Sequence, residues 1–576
     1  MFAVSILLSA VCAFGGEVFR PKASLSRPLR SWERIEGSVY YADQPGTFRI
    51  WGGERNAKSF THALGDGRTF VSGRLVVRKD RWTRGTMHVE VSRDGEDWIR
   101  LGEAKKGEFF EAELPGAVFP AATLHVRFNG DEGCSYELNG YSLDLVFEGA
   151  RLWQAGSTNA FYRSIVGNWM DPLVWTCSSN RKVPRFGSPD RGRRAKALRL
   201  AVAANETESV QFVISPQTDL QGVGVEVELA GLEAEALAVD WRRVAQATDS
   251  RGVTGFWPDP IRPQAPEGLF IPGGSNRSFW IRVKAPKGTA KGVRRGVVRL
   301  HAKGGGDMLR CYPIEVRVFG FELPDESSVK TNFGFDEWRL RMLGYDPVEW
   351  QRALDAHKMT RFGRHGYRYV FDEPTTNQYA EVRRLCLESK AKFPEERRLV
   401  TVPPCRELEG FVDIWCPRTD SYDAAAAAAC RARRESYWWY ICCGPTSPYA
   451  GLFVDRPGHE LRLWLWQTWA EGVDGVLIWH THNLSKEWDD TGDGTFFYPD
   501  ADGHPVDTVR AEAFRDGVED YEYFAILKRL DPKNPLLAVP RDVSASLKDF
   551  NRDPVPLESH RIKLAMEIER RLQEGS

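Results

Sequence analysis

The chain has 576 residues, with 78 Lys plus Arg against 79 Asp plus Glu and a formal charge of −1. At about 150 residues per domain this implies three to four domains, because single cores stop growing near about 250–300 residues. The even balance leaves no electrostatic footprint for nucleic acid or an anionic membrane surface. A hydrophobic fraction of 42% with 27% charged residues excludes wholesale disorder. The 20 Trp, 17 Tyr and 31 Phe supply flat rings that stack on sugars or fill sandwich cores.

The chain opens on a short apolar run, Phe2 to Phe14, followed by Gly15, Gly16 and Glu17. It is too short for a bilayer, which takes about 20 apolar residues. Small residues at Ala13, Gly15 and Gly16 suit a signal-peptidase site after Ala13 or Gly16. Residues 1–16 therefore read as a signal peptide, with a buried first strand as the alternative. No later stretch reaches membrane-spanning length, so the expectation is an exported soluble protein, secreted or periplasmic. Of ten cysteines, removal of Cys12 leaves an odd number, and no C-x-x-C pair or Cys/His spacing builds a zinc site. Adjacent Cys442 and Cys443 read as small hydrophobes rather than a bridge.

Residues 17–150 alternate apolar and polar positions between DG, NG and GG turns, the pattern of an antiparallel sandwich. Their hairpin VEVSRDGEDWIRLG, centred on Asp94-Gly95, resembles the strand pair of discoidin-like jelly rolls, many of which bind sugars. The readings are a carbohydrate-binding module or a plain accessory sandwich. Residues 151–326 form a second β block, with ALRLAVAANETESVQFVISP, SFWIRVKAPKGTAKG and YPIEVRVFGFELP at strand period. The segment FELP closes it, since a residue before proline is pushed out of helix.

From 327 to 535 strands and amphipathic helices alternate. Strands are expected at 331–335, 368–374, 399–404, 411–417, 437–443 and 475–480, with a further one possible at Met359–Phe362. Helices are expected at Pro347–His357, Asn377–Lys392, Asp423–Glu435, Pro457–Glu471 and Arg510–Leu530. This is the grammar of a parallel (β/α)8-like barrel. A complete barrel takes about 250 residues and the region offers roughly 200, so it reads as shortened around strands 2–4. Residues 536–576 read as a C-terminal helical tail.

Asp372-Glu373, in YVFDEP, end an apolar strand where barrel active sites lie. Neighbours in a strand point to opposite faces, but at its end the backbone turns and both reach a pocket. Adjacent like charges favour keeping one proton, as a general acid requires. Solvation of the following helix N-terminus is the bland alternative. After the strand GVLIWH, Trp479 is placed to floor a sugar ring, with His480, His482 and Asn483 reaching hydroxyls. Two His at i, i+2 lack a third metal ligand, and Asp489 to Asp500 lacks the bidentate Glu of a calcium loop. The expected set is catalytic Asp372 and Glu373, with Tyr369, Tyr440, Trp479, His480, Asn483 and Asp493 binding substrate, and no metal or cofactor.

Several spaced motifs then point one way. Gly492-Asp493-Gly494, Tyr498-Pro499, Arg510-Ala-Glu512 and RDGVEDYEYF (515–524) resemble the tail of glycoside hydrolase family 123 catalytic domains. VDRPGHELR (454–462) and GVLIWHTHN resemble the preceding helix start and strand, and AANETESVQFVI (203–214), WPDPIRP and FWIRVKAPKGT its N-terminal sandwich. The resemblance implies an exo-acting, retaining hydrolase of terminal β-linked N-acetylgalactosamine or a related 2-acetamido sugar, by substrate-assisted catalysis. It implies Glu373 as general acid and Asp372 as the group orienting the substrate's acetamido. It implies a carbohydrate partner, a glycan or glycolipid. The sequence departs from the family between TNFGF and DEP, where several barrel units are missing. That departure leaves a second reading open, a glycan-binding relative that no longer turns over, and a third as a structural surface protein. Arg515, Asp516, Glu519 and Asp520 have the spacing of helical i, i+4 pairs.

Overall fold

The computed structural model describes strands at Lys22–Ala23, Trp32–Glu36 and Val39–Trp51 and residues 57–574, except 64–68, 105–109, 132–134, 148–171, 186–194, 196, 217–219, 273–274, 304–307 and 484–490. The expected signal peptide lies outside the described residues. Two five-stranded sheets occupy the first block. Alternation does the work here: Leu124, Val126 and Phe128 from Thr123–Gly130 meet Met87, Val89 and Val91 in one core. The Asp94-Gly95 turn forms as its residues dictate. Ser92 Oγ accepts the Gly95 N–H at 2.8 Å, and Asp94 Oδ1 accepts those of Glu96 and Asp97 at 2.9 Å. Gly95 takes φ +83°, where a side chain would be strained.

A seven-stranded and a five-stranded sheet follow, sharing a core of Val202, Phe212, Ile214, Phe279, Ile281, Val298 and Ile314. The seven-stranded sheet is completed by the C-terminal part of the chain: Pro505–Thr508 pairs with Gly255–Arg262 through Pro260–Thr508 and Ile261–Asp507. The two regions are thus joined by backbone as well as side chains.

The alternating region builds one curled parallel sheet. Its strands are β1 (Lys330–Phe333), β2 (Tyr367–Phe371), β3 (Arg397–Val400), β4 (Ile414–Trp415), β5 (Ser436–Tyr440) and β6 (Gly475–Ile478). They lie in the order β1-β6-β5-β4-β3-β2. The helices are α1 (Glu337–Met342), α2 (Pro347–Ala356), α3 (Tyr379–Lys392), α4 (Ala424–Ala432), α5 (Glu460–Ala470), α6 (Val509–Leu530) and α7 (Val555–Glu574). Their starts are written locally. Asp346 accepts the Val348 N–H with Pro347 in the first turn, Asp423 caps α4 through Ala426 N–H, and Thr508 caps α6 through Ala511 N–H.

Strands buried on both faces read as continuous apolar runs, and parity sorts them. Tyr367, Leu399, Ile414, Cys416, Trp438, Tyr440 and Leu477 fill the concave interior. Val400, Trp415, Tyr437, Trp439, Val476 and Ile478 face the helices. Six strands pair where eight would close a barrel. Between β1 and β2 the wall is a turn: Phe333 N–H donates to Thr360 O at 2.8 Å and Phe362 N–H to Phe333 O at 3.0 Å. The expected strand at Met359–Phe362 is a single Phe333–Arg361 bridge. The chain from 334 to 366 has room for α1 and α2 and no further β/α unit.

Helix α6 is charged and buried at once. The i, i+4 pairing expected there accounts for Arg515–Glu519 at 3.6 Å, but most partners come from other elements. From α5, Arg462 reaches Asp520 at 2.6 Å, Asp516 at 3.2 Å and, on the second β block, Glu208 at 2.8 Å. From α7, Arg561 reaches Glu206 at 2.6 Å and Asp520 at 3.0 Å. From Val509 to Asp520 every residue of the helix is buried, so the charges there are spent on tertiary pairing.

Candidate active site

Strand parity decides which side chains meet at the C-terminal mouth of the curled sheet. In β2, Tyr367 and Tyr369 face the interior. Strict alternation would send Asp372 outward. Instead the register slips: Tyr369 pairs with Leu399, but Phe371 pairs with the next residue, Val400. Val370 and Phe371 both pack on the helix-facing core, and Asp372 returns to the interior side. There Tyr369 Oη donates to Asp372 Oδ1 at 2.6 Å. Re-aiming a side chain beside a site is a recurrent use of such a bulge.

Glu373 is turned by a second device. Its φ is +42°, a left-handed conformation that costs a non-glycine residue about 1–3 kcal/mol and is disfavoured again before proline. Thr401, just past β3, holds it there. The Glu373 N–H donates to Thr401 Oγ1 at 2.7 Å, and that hydroxyl donates to Asp372 Oδ1 at 3.1 Å. Tyr440 Oη, from the end of β5, donates to Glu373 Oε1. One turn thus presents both carboxylates toward hydroxyl donors from three strand ends. Burial, then the adjacent carboxylate, pushes both phenols far above their ordinary range, so Tyr369 and Tyr440 remain donors. Among the described residues neither acid has a Lys or Arg within ion-pair reach. Both are solvent-exposed, which corrects the expectation that they reach into a pocket. The wall that missing β/α units would have raised between β1 and β2 is the low turn at 360–366.

At the end of β6, Trp479 is 37% exposed and its Nε1–H donates to Asp493 Oδ1 at 3.0 Å. Asp493 is buried behind the ring, and burial raises its carboxyl above the usual range. It therefore positions Trp479. Gly494 (φ +65°) lets the chain pass under that ring, since a Cβ would stand 2.7 Å from Cζ2. His480 Nδ1 accepts the His482 N–H at 3.0 Å, and burial lowers both rings to about 4, leaving them neutral at pH 7. His482 is fully buried against Phe335 and Trp350 and pairs with Asp336 and Thr481, a structural role. Asn483 is buried, with its N–H on Gly494 O at 2.8 Å.

Asp500 binds its own turn through the Asp502 and His504 N–H groups. Among the described residues, His357, Asp507 and Glu512 have metal-like spacing, with ligand atoms within 4.8 Å. Arg282 already stands where a cation would, at 2.6 Å from Asp507 and 2.7 Å from Glu512. Thr401 was missed by sequence reasoning. Its signal was a hydroxyl interrupting the apolar run LVTVPP beside the acidic strand end. Arg418, held by Asp420 at 2.8 Å after β4, was missed too.

Residues 360–527 match the family described as Glycoside hydrolase 123, catalytic domain. The resemblance to family 123 stands. That span includes Asp372, Glu373, Thr401, Tyr440, Trp479 and Asp493, and the match supports a glycoside hydrolase, which implies a carbohydrate substrate. Among solved structures, a family 123 glycoside hydrolase from Clostridium perfringens, studied for glycolipid glycan hydrolysis, is similar over 70% of this chain and 97% of its own. Its TM-score is 0.53 and its identity 10%, a likeness of fold. A nucleoside hydrolase-related protein from Saccharophagus degradans matches 26% of the chain and 25% of its own at 7% identity and TM-score 0.13. A Caldicellulosiruptor saccharolyticus CBM27 module solved with mannohexaose matches 22% of the chain and 82% of its own at 15% identity and TM-score 0.12. Neither of these two supports an argument. No curated protein matches the chain. Among the described residues no helix is long and apolar enough to cross a membrane.

Proposed function

We propose that the protein is an exported, retaining hydrolase of terminal β-linked N-acetylgalactosamine or a related 2-acetamido sugar, working through a compressed (β/α)8-like barrel. Glu373 protonates the glycosidic oxygen and later takes a proton from water. Asp372 holds the substrate's acetamido N–H, so that the amide oxygen attacks the anomeric carbon and the cation formed is stabilised by the carboxylate. A neutral amide as nucleophile explains why two adjacent acids suffice without a nucleophile from the enzyme. The observation that carries the reading is the paired device at the end of β2. A bulge and a left-handed Glu373, both tied to Thr401, turn neighbouring carboxylates to the same mouth, where phenols and no cations meet them. Trp479 supplies a flat partner for the sugar's apolar face.

A chromogenic β-N-acetylgalactosaminide tests this. Turnover with retained anomeric configuration, inhibition by a thiazoline analogue of the cyclised intermediate, and loss on Glu373→Gln are expected. An inverted product would defeat the mechanism. The export step is checked by following Phe2–Gly16 in the mature chain by N-terminal sequencing. A second reading, a glycan-binding relative, is favoured by the six-stranded sheet and the exposure of both acids. It predicts sugar-dependent thermal stabilisation with no product from any aryl glycoside.

A further inference from the structure

Past Tyr440 the alternation of β5 continues into two adjacent cysteines. Ile441 packs outward, Cys442 turns in beside Tyr440, and Cys443 is exposed. The Cys442 N–H donates to Gly444 O at 2.7 Å, curling the chain into a tight turn. The two Sγ atoms lie 3.7 Å apart. The peptide between them is also part of the site's framework, because the Cys443 N–H donates to Asp493, the group that holds Trp479. The dithiol therefore stands between Tyr440, which binds Glu373, and the Asp493–Trp479 pair.

We propose that Cys442 and Cys443 form a thiol–disulfide exchange site for low-molecular-weight disulfides, and that closing the bridge disturbs the sugar site. The exposed Cys443, as thiolate, attacks the external disulfide, forming a mixed disulfide and expelling one thiolate. Cys442, as thiolate, then attacks Cys443 Sγ and expels the second. The protons given up by the two cysteines go to the two departing thiolates, so one external disulfide becomes two thiols as two protein thiols become one disulfide. Burial pushes the Cys442 thiol up to about 12, which makes its attack the slow step. Closure draws the sulfurs to about 2.05 Å, and adjacent Cα atoms about 3.8 Å apart fall short of the usual range for a bridge, which begins near about 4.4 Å. Such a bond is strained and readily reduced. The strain is relieved by turning the 442–443 peptide, which moves the N–H on Asp493 and withdraws Cys442 from Tyr440.

The exchange is independent of the hydrolase reading; only its effect on turnover rests on it. The full chain is incubated with oxidised glutathione, alkylated, and mapped by mass spectrometry. The expected result is loss of two hydrogens on the peptide carrying both cysteines, restored by dithiothreitol and abolished by Cys443→Ser. Cys442→Ser should leave a stable glutathionyl group on Cys443. A glutathionyl group persisting on Cys443 of the unaltered chain, a bridge between two copies, or unmodified thiols would each overturn the site. Turnover of the aminosugar glycoside should fall at least severalfold on oxidation and recover on reduction; equal rates in both states would overturn the coupling. Mass loss with no turnover in either state would leave the exchange site standing and count against the hydrolase.

Discussion

The carboxylates around Arg462 and those at the end of β2 share a residue type and differ in nearly everything else. Asp516, Asp520 and Glu208 lie buried where α5, α6 and the second β block meet, and each has an arginine. Asp372 and Glu373 are exposed and held only by hydroxyl and phenol donors. A buried charge is tolerable only when paired and hydrogen-bonded, so the first group is locked and serves to align two β layers and three helices. A general acid must give up and regain a proton during turnover, which a guanidinium clamp would oppose. The dense motif RDGVEDYEYF therefore marks where the molecule is held together, and on the proposed function the sparse DEP marks where protons move.

Substitutions at each place should separate the two roles. Glu373→Gln is expected to lower kcat by about 10²–10⁴-fold and to leave the melting temperature nearly unchanged; equal loss of both would put Glu373 among the structural acids. Arg462→Met should remove the arginine that Asp516, Asp520 and Glu208 share, leaving them only Arg515 and Arg561, and destabilise the fold by about 3–5 kcal/mol, read from denaturant midpoints. A change below about 0.5 kcal/mol, the size of an ordinary surface effect, would show the hub to be idle. Tyr440→Phe removes one charge-assisted hydrogen bond and should slow turnover by about tenfold, with stability little altered, as steady-state kinetics and thermal scans would show.

The smallest expected effect is also the most telling, since the two regions should respond to pH in opposite directions. Burial raises Glu460, beside Arg456 in the same interface, to about 7. Its folded value lies above the unfolded one near about 4.3, so its contribution is complete at low pH and is lost as pH rises toward about 7. His480 and His482 are lowered to about 4. The unfolded chain then binds more protons below about 6.5, and stability is lost as pH falls from there toward 4. In denaturation curves across pH 4–8, Glu460→Gln should remove a fall in stability as pH rises toward about 7, and His480→Gln a rise in stability between about 4 and about 6.5. Slope changes of the same sign in both variants would remove the contrast.

How much of this was legible varies by element. The hairpin at Asp94-Gly95 and the strands at β2, β3, β5 and β6 follow from period and turn residues, because those signals are local. Helix ends came within about three residues, as the caps at Asp346 and Asp423 are local too. The short α1 was missed, being too brief for a periodic signal. Asp372 and Glu373 stood out at a strand end, yet the reason both reach the mouth did not. The slip between Tyr369 and Phe371 is defined only against β3, and the left-handed Glu373 only by its bond to Thr401. Asp493 was read as facing the sugar because nothing along the chain shows that Trp479 covers it. Arg515 to Asp520 had the spacing for pairs within the helix, and what changed their role was burial on every side.

By itself the sequence determined the alternation of strands and helices, the turn chemistry, the family motifs and the shortage of chain between TNFGF and DEP. These depend on neighbours a few residues away. Tertiary structure alone decided that six strands curl without a full wall, that one hydroxyl from another strand ties two acids to one face, and that most charges of α6 are structural. Each of those depends on groups brought together from distant parts of the chain, where register, burial and pairing are set by the fold and have no local signal.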